Sequence, residues 1–460
     1  MTTIAERLAA TITDAAQAPL PEDATVHAAE RVVLDSIACG LGALDAAPAR
    51  ATRAWAATMD GKPGARILGT GERSSVTGAA LANCTMIRHH DMNDCDWSKD
   101  PAHPSDNIGA CLAVADAAQA PVEDFIRAVL VAYEIQMRTT EFSKVSFFKQ
   151  TGWDHTTFVT LASAAATGVI LRLDRHRLAH ALAIAANYPT LGALRVGQIS
   201  MMKAASAGLA ASRGIEAAYL AAHGVTGPLE VFEGKRGLAA LVIGECDWDL
   251  LTAPITGWRL PRTCLKQYPA AYIIHSAIDA TLALRQEYRL QPQQVKEVAV
   301  AGFGWLIEDM MHGMGGRSRY DIDARETADH SLPYCVAVSL VDGEYTLAQL
   351  EQPRWEAPVV KDMLRKVKCV HDPALDGGFP GRRPSRVTVT LADGTTVSKE
   401  VSFPKGDPRD PLTDDDIALK FRRLSGKVLP QAKQDRAIAI ALHLRSHTLS
   451  DLISACTPDG

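Results

Sequence analysis

Residues 76–118 read VTGAALANCTMIRHHDMNDCDWSKDPAHPSDNIGACLAVADAA. Two apolar, alanine-rich runs, one ending near Ile87 and one starting near Ile108, enclose a polar segment at 88–107. That segment holds Arg88, His89, His90, Asp91, Asp94, Asp96, His103 and Asp106. Alanine and glycine on the flanks let helices approach closely, which suits a bundle of antiparallel helices rather than a twisted parallel sheet. The same texture extends in both directions. Upstream, Ile4, Leu8 and Ile12 share one helical face, and Val26, Ala29, Val33, Ile37 and Leu41 keep the i, i+3/i+4 spacing. Downstream, Ala-rich runs near 122–138, 155–172, 174–187 and 203–223 predict further helices, and no repeat of fixed period is present.

The pattern changes near Pro269. After a helical run over Ala270–Arg285, Val295, Val298 and Val300 predict a strand, and Arg386–Leu391 and Thr395–Phe403 flank Ala392-Asp393-Gly394 as a hairpin. Helical patterns at 329–342 and 355–367 lie between these strands, and the Pro-rich Phe403–Pro411 segment leads back to helices at 413–425 and 431–446. The expected fold is mainly α with an α+β lobe. A large all-helical domain, discontinuous over 1–267 and 403–460, carries a smaller α/β domain at 268–402.

Composition narrows the function. The chain has 460 residues, 48 Lys and Arg against 53 Asp and Glu, and a net charge of −5. Neither that balance nor any basic run suits nucleic acid. Nine cysteines occur without one C-x-x-C pair, which argues for reduced thiols in a cytoplasmic setting and against an iron–sulfur cluster or zinc ribbon built on such pairs. The N-terminal MTTIAERLAATITDAAQ has neither a signal-peptide nor a transit-peptide layout, and no stretch of 18 apolar residues predicts a membrane span. A Walker A loop, a dinucleotide GxGxxG fingerprint and a GxSxG elbow are absent. The glycine-rich MHGMGGRSRY lacks the context of any of them.

Three readings compete for 88–107: a solvated loop whose Ser105 or Asp106 caps the next helix, a metal site, or an acid/base loop at a helix N-terminus. The spacing matches no familiar metal-ligand motif, so no metal is expected. In GWDHTTF, His155 stands at a helix start, where the dipole tends to keep imidazole neutral, with Asp154 as cap. Lys203 sits among small residues between Arg195 and Arg213, either as a snorkelling surface lysine or as a cation aimed into a pocket. Composition alone does not lift Lys266, His275, Tyr320 and His330 above background.

Taken together and in order, DMNDCDWSKDPAHPSDNIG, WDHTTF, RVGQISMMKAASAGLAASRG, HGVTGPLEVFEGKRGL, LKQYPAAY and RETADHSLPYCVAVSLVDG resemble the 2-methylcitrate dehydratase (MmgE/PrpD) family. That family also contains cis-aconitate decarboxylase and iminodisuccinate epimerase. The resemblance implies a helical domain built from N- and C-terminal parts, an α/β lid domain, a homodimer and an active site in the interdomain cleft. It places active-site positions on Asp91, His103, His155, Lys203 and Lys266, with Cys95 and Tyr320 among the substrate-binding positions, to which Arg195 is added as a flanking cation that a substrate with several carboxylates would need. Cys95 stands where relatives usually carry threonine, which takes a hydroxyl away from that position.

The twelve-residue step from Asp91 to His103 resembles the dehydratase branch. The implied reaction is cofactor-independent dehydration of a small tricarboxylate, of the 2-methylcitrate to 2-methylaconitate type, within a substrate class of small di- or tricarboxylates. His103, held by Asp91, and His155 would divide the acid and base roles, while Lys203 and Lys266 bind carboxylates. Decarboxylation of cis-aconitate and epimerisation of a dicarboxylate use the same kit. A non-catalytic metabolite-binding scaffold is the reading outside that class. No nucleic-acid or membrane partner is expected.

Overall fold

The computed structural model describes residues 2–196, 199–312, 318–351 and 353–459. Gly197 and Gln198 of RVGQISMMK, and residues 313–317 of the glycine-rich MHGMGGRSRY, lie outside the described residues. The chain is mainly helical, with one small mixed sheet. It divides into two compact units, Met1–Leu194, Ser200–Leu265 and Thr413–Gly460 in the first, Arg195–Ile199 and Lys266–Leu412 in the second.

In the first unit the predicted periodicities become helices at Ile4–Gln17, Asp23–Gly42, Val76–His89, Val122–Thr139, Thr156–Ile170, Arg175–Ala185 and Met202–Ala222. Thr3 and Glu6 close a reciprocal capping box at the first of these. The apolar run that starts near Ile108 is the helix Ile108–Ala118, preceded by a 3-10 turn over Pro104–Asn107, because Pro104 fits only a first turn. Helix approach is as close as the small residues allow. A Cβ on Gly208 would stand 2.4 Å from the Leu81 carbonyl oxygen, and one on Gly214 2.4 Å from the Thr160 oxygen. The Met202–Ala222 helix is thereby wedged against both Val76–His89 and Thr156–Ile170.

After the second unit the chain returns as Asp414–Ser425, which packs on Asp23–Gly42. The predicted 431–446 helix ends at Ala441, and a further helix at Leu449–Ala455, closed by a Thr448/Asp451 capping box, is an addition to the prediction. No single helix among the described residues is long and apolar enough to cross a membrane.

The second unit centres on a four-stranded sheet in the order Val367–His371, Val295–Gly302, Ser385–Leu391, Thr396–Val401. The last two strands form the predicted hairpin around Gly394, whose φ of 89° suits glycine, and the Leu391 N–H reaches the Thr395 carbonyl at 2.8 Å. Val367–His371 runs parallel to Val295–Gly302. The sequence reading gave this segment no strand and ended a helix at 367. The helix instead stops at Lys366, and only Val367 of the strand is buried, so the alternation that announces a strand is missing. Val298, Val300, Val387 and Val389 are buried, and His275–Tyr288 and Leu332–Asp342 cover the sheet.

Candidate functional site

The Val76–His89 helix ends into the polar segment through His90, and Asp91 then adopts φ 51°, a left-handed backbone that glycine would normally supply at this point. The Asp91 carboxylate meets Arg88 Nη1 at 3.1 Å and Lys203 Nζ at 3.2 Å. Lys203 is the second residue of Met202–Ala222, where the helix dipole disfavours a cation, and it is only 7% exposed. Its place is explained by Asp91 and not by the helix, so the snorkelling surface reading is set aside. Burial disfavours the Arg88 cation, but Asp91 and Asp106 more than offset this and shift it upward.

Three further residues lock the loop from within. Asn93 Nδ2 donates to Ser105 Oγ at 2.8 Å and to Asp106 Oδ1 at 3.3 Å. Asp94 Oδ1 accepts from the Ser105 N–H at 3.1 Å and the Ser105 hydroxyl at 2.6 Å. Burial pushes the Asp94 carboxyl up to about 7, with hydrogen bonds from Ser105 offsetting part of the rise. Ser105 and Asp106 therefore serve the loop interior. The Ile108–Ala118 helix has no side-chain cap, contrary to the capping role the sequence suggested for them.

His103 Nδ1 lies 2.6 Å from the Asp94 carbonyl oxygen. A carbonyl only accepts, so the proton of neutral His103 resides on Nδ1 and the basic lone pair on Nε2. The structure thus gives the His103 ring a backbone carbonyl at Nδ1, a partner the sequence did not announce. The ring packs against His155 in a T-shaped arrangement with ring centroids 5.2 Å apart. His155 is the N-cap position of the Thr156–Ile170 helix, and Asp154 just before it accepts from the Thr156 N–H at 3.0 Å. Two carboxylates also oppose the dipole there: Asp154 Oδ1 is 3.2 Å from His155 Nδ1, and Asp106 Oδ2 is 3.3 Å from Nε2.

Asp91, His103, His155 and Lys203 are therefore gathered in the first unit, all buried. Cys95 is buried beside them in the same loop, and its backbone exchanges two 2.9 Å hydrogen bonds with Cys264. Arg195, Lys266 and Tyr320 belong to the second unit. Lys266 is its first residue after the Leu265 break and is buried. Arg195 is half-buried on a short 3-10 turn, and the Tyr320 hydroxyl donates to the Val367 carbonyl at 2.8 Å. Arg213 pairs with Glu216 on the surface. Sequence reasoning missed Asn93 and Asp154 as site partners. Their signal was the density of polar residues around two histidines, a cue too general to assign bonds.

The fold and site define a class of two-unit protein: a helical body that buries two histidines in ring contact among carboxylates and cations, joined in sequence to a small α/β unit. The chain belongs to the MmgE/PrpD family: the MmgE/PrpD N-terminal domain matches residues 6–251 and the C-terminal domain residues 268–446. It is 27% identical to the 2-methylcitrate dehydratase of Cupriavidus necator over 441 residues, covering 90% of this chain and 88% of the relative. It is also 27% identical to the cis-aconitate decarboxylase of Mus musculus over 419 residues, covering 88% and 84%. The 2-methylcitrate dehydratase of Salmonella typhimurium is 25% identical over 432 residues, covering 89% and 88%. These relatives carry the names of lyases, so the family is one of enzymes.

Proposed function

We propose that this protein is a hydro-lyase that dehydrates a small di- or tricarboxylate of the 2-methylcitrate type without a cofactor. The observation that carries the reading is the His103 ring, held at Nδ1 by the Asp94 carbonyl, which leaves the basic lone pair on Nε2, and packed against His155 at a centroid distance of 5.2 Å. In this mechanism His103 Nε2 takes the proton from the carbon beside a carboxylate, and the electron pair forms the new double bond. Hydroxide leaves the adjacent carbon and takes a proton from His155, whose two nitrogens face carboxylates, so that water is released. Lys203, fixed by Asp91, binds a substrate carboxylate and stabilises the charge that develops on it. Lys266 is the second carboxylate-binding cation in the proposal, and Cys95, Arg195 and Tyr320 complete the substrate contacts. The working form is a homodimer in the cytoplasm.

A screen of small di- and tricarboxylates tests this reading, with ultraviolet absorbance reporting the new conjugated double bond. An absorbance gain with 2-methylcitrate or citrate, lost in His103→Ala and in Lys203→Ala while both remain folded, is the expected result. Full activity in either variant overturns the assignment. The equal identity to a cis-aconitate decarboxylase supports a second reading, and carbon dioxide release from cis-aconitate would favour it.

A further inference from the structure

The segment that carries Asp91 and Asp94 has one more fastening, and it comes from a helix 328 residues away in sequence. Lys420, on Asp414–Ser425, donates from Nζ to the Met92 carbonyl at 2.7 Å. The same ammonium pairs with Asp35 Oδ1, on Asp23–Gly42, at 2.6 Å. Lys420 is 6% exposed and Asp35 1%. Burial pushes the Asp35 carboxyl upward, with Lys420 offsetting part of that shift.

A buried ion pair is an expensive way to join two helices. Desolvation consumes most of the Coulombic gain, and well-packed apolar side chains of similar volume commonly do as well or better. What an apolar pair could not supply is the donor to Met92. That carbonyl sits between the two backbone points the site depends on, the left-handed turn at Asp91 that presents a carboxylate to Lys203 and the Asp94 carbonyl that fixes the His103 tautomer.

We infer that Lys420 and Asp35 are positioning residues, which hold the Met92 carbonyl and through it set the Asp91 carboxylate and the His103 ring in their working places. Lys420 supplies the hydrogen bond and Asp35 keeps its charge tolerable in the interior. The inference rests on the reading of His103 as the proton-exchanging group, but the anchoring is measurable without turnover.

Lys420→Met alone leaves Asp35 buried without its counter-charge, so the informative variant is Lys420→Met with Asp35→Leu, an apolar pair that keeps the helices packed. Histidine-labelled protein, with the His103 signals assigned through His103→Asn, reports the ring tautomer by 15N chemical shift. The double variant is expected to fold with an unchanged thermal midpoint and to replace the single Nδ1–H tautomer of His103 by a mixture. Turnover of the acid found in the screen is expected to fall by about 10- to 100-fold in kcat with KM within about threefold, the scale of a misplaced catalytic group. Lys420→Arg, which keeps charge and donors, is expected to retain the wild-type His103 signals. An unchanged His103 tautomer in the double variant overturns the inference, and so does a Lys420→Arg loss equal to that of the double variant. If wild-type protein turns over none of the acids, the proposed function fails while the tautomer measurement still decides the anchoring.

Discussion

In the first unit, Asp91 of the polar loop pairs with Arg88 and Lys203 from two helices, and the side chains of all three are under 10% exposed. On the sheet of the second unit, Lys368 pairs with Glu297 and Arg386 with Glu400 across neighbouring strands, with side chains 37–65% exposed. The two settings use the same chemistry for different ends. Exposed pairs cost little to form and contribute little, because water screens them and side-chain entropy opposes them. Buried pairs carry a desolvation cost that stability alone does not justify, so pairs gathered around one loop, next to two histidines, make that loop the candidate for function.

Substitutions in the two settings should diverge accordingly, and the largest effect belongs to the loop. Lys203→Ala is expected to lower kcat/KM by about a thousandfold or more, the scale of removing a preorganised charge from an active site, with the protein still folded. A steady-state assay on the acid identified by the screen checks it, and a loss below tenfold would return Lys203 to a structural role.

Next comes the packing that brings the loop together. Gly208→Val is expected to destabilise the first unit by roughly 2–4 kcal/mol, since its Cβ would lie 2.4 Å from the Leu81 carbonyl oxygen and backbone must move. Thermal unfolding measures this, and an unchanged midpoint would mean that the helices can part without cost.

Smaller still is the pH term of Asp94. Its folded-state carboxyl titrates near 7, above an ordinary carboxyl at 3.8, so between these values the unfolded chain binds fewer protons than the folded one. This residue's contribution to stability is therefore present at low pH and is lost as pH rises from about 4 to 7. Asp94→Asn should remove the loss, gaining on the order of 1–3 kcal/mol relative to wild type between pH 4 and 7.5 in denaturant melts. A constant difference across that range would contradict the assignment.

The smallest effect belongs to the sheet. Lys368→Ala is expected to change stability by about 0.5 kcal/mol or less and activity not at all. A larger cost would blur the contrast between the two settings.

The helices that frame the site were legible as long alanine-rich apolar runs, and the hairpin because Asp393-Gly394 is explicit turn chemistry. The strand at Val367–His371 was not, since four of its five residues are at least partly exposed and it follows a helix without a break. In the site, residue types were legible and pairings were not. Asp91 and His103 occur in the right loop, yet the structure gives His103 to a backbone carbonyl, a partner that has no side chain and leaves no mark in sequence. Lys420 was invisible for a different reason. Its helix reads as an ordinary amphipathic surface element, and only tertiary packing brings it to Met92.

In the proposed reaction His103 Nε2 exchanges a proton with a carbon next to a carboxylate, and proton exchange in deuterated water measures that step for dehydration, decarboxylation and epimerisation alike. Wild-type protein should exchange a carbon-bound proton of one small di- or tricarboxylate, with the rate lost in His103→Asn and retained after dialysis against chelator. Undiminished exchange in folded His103→Asn would contradict the account.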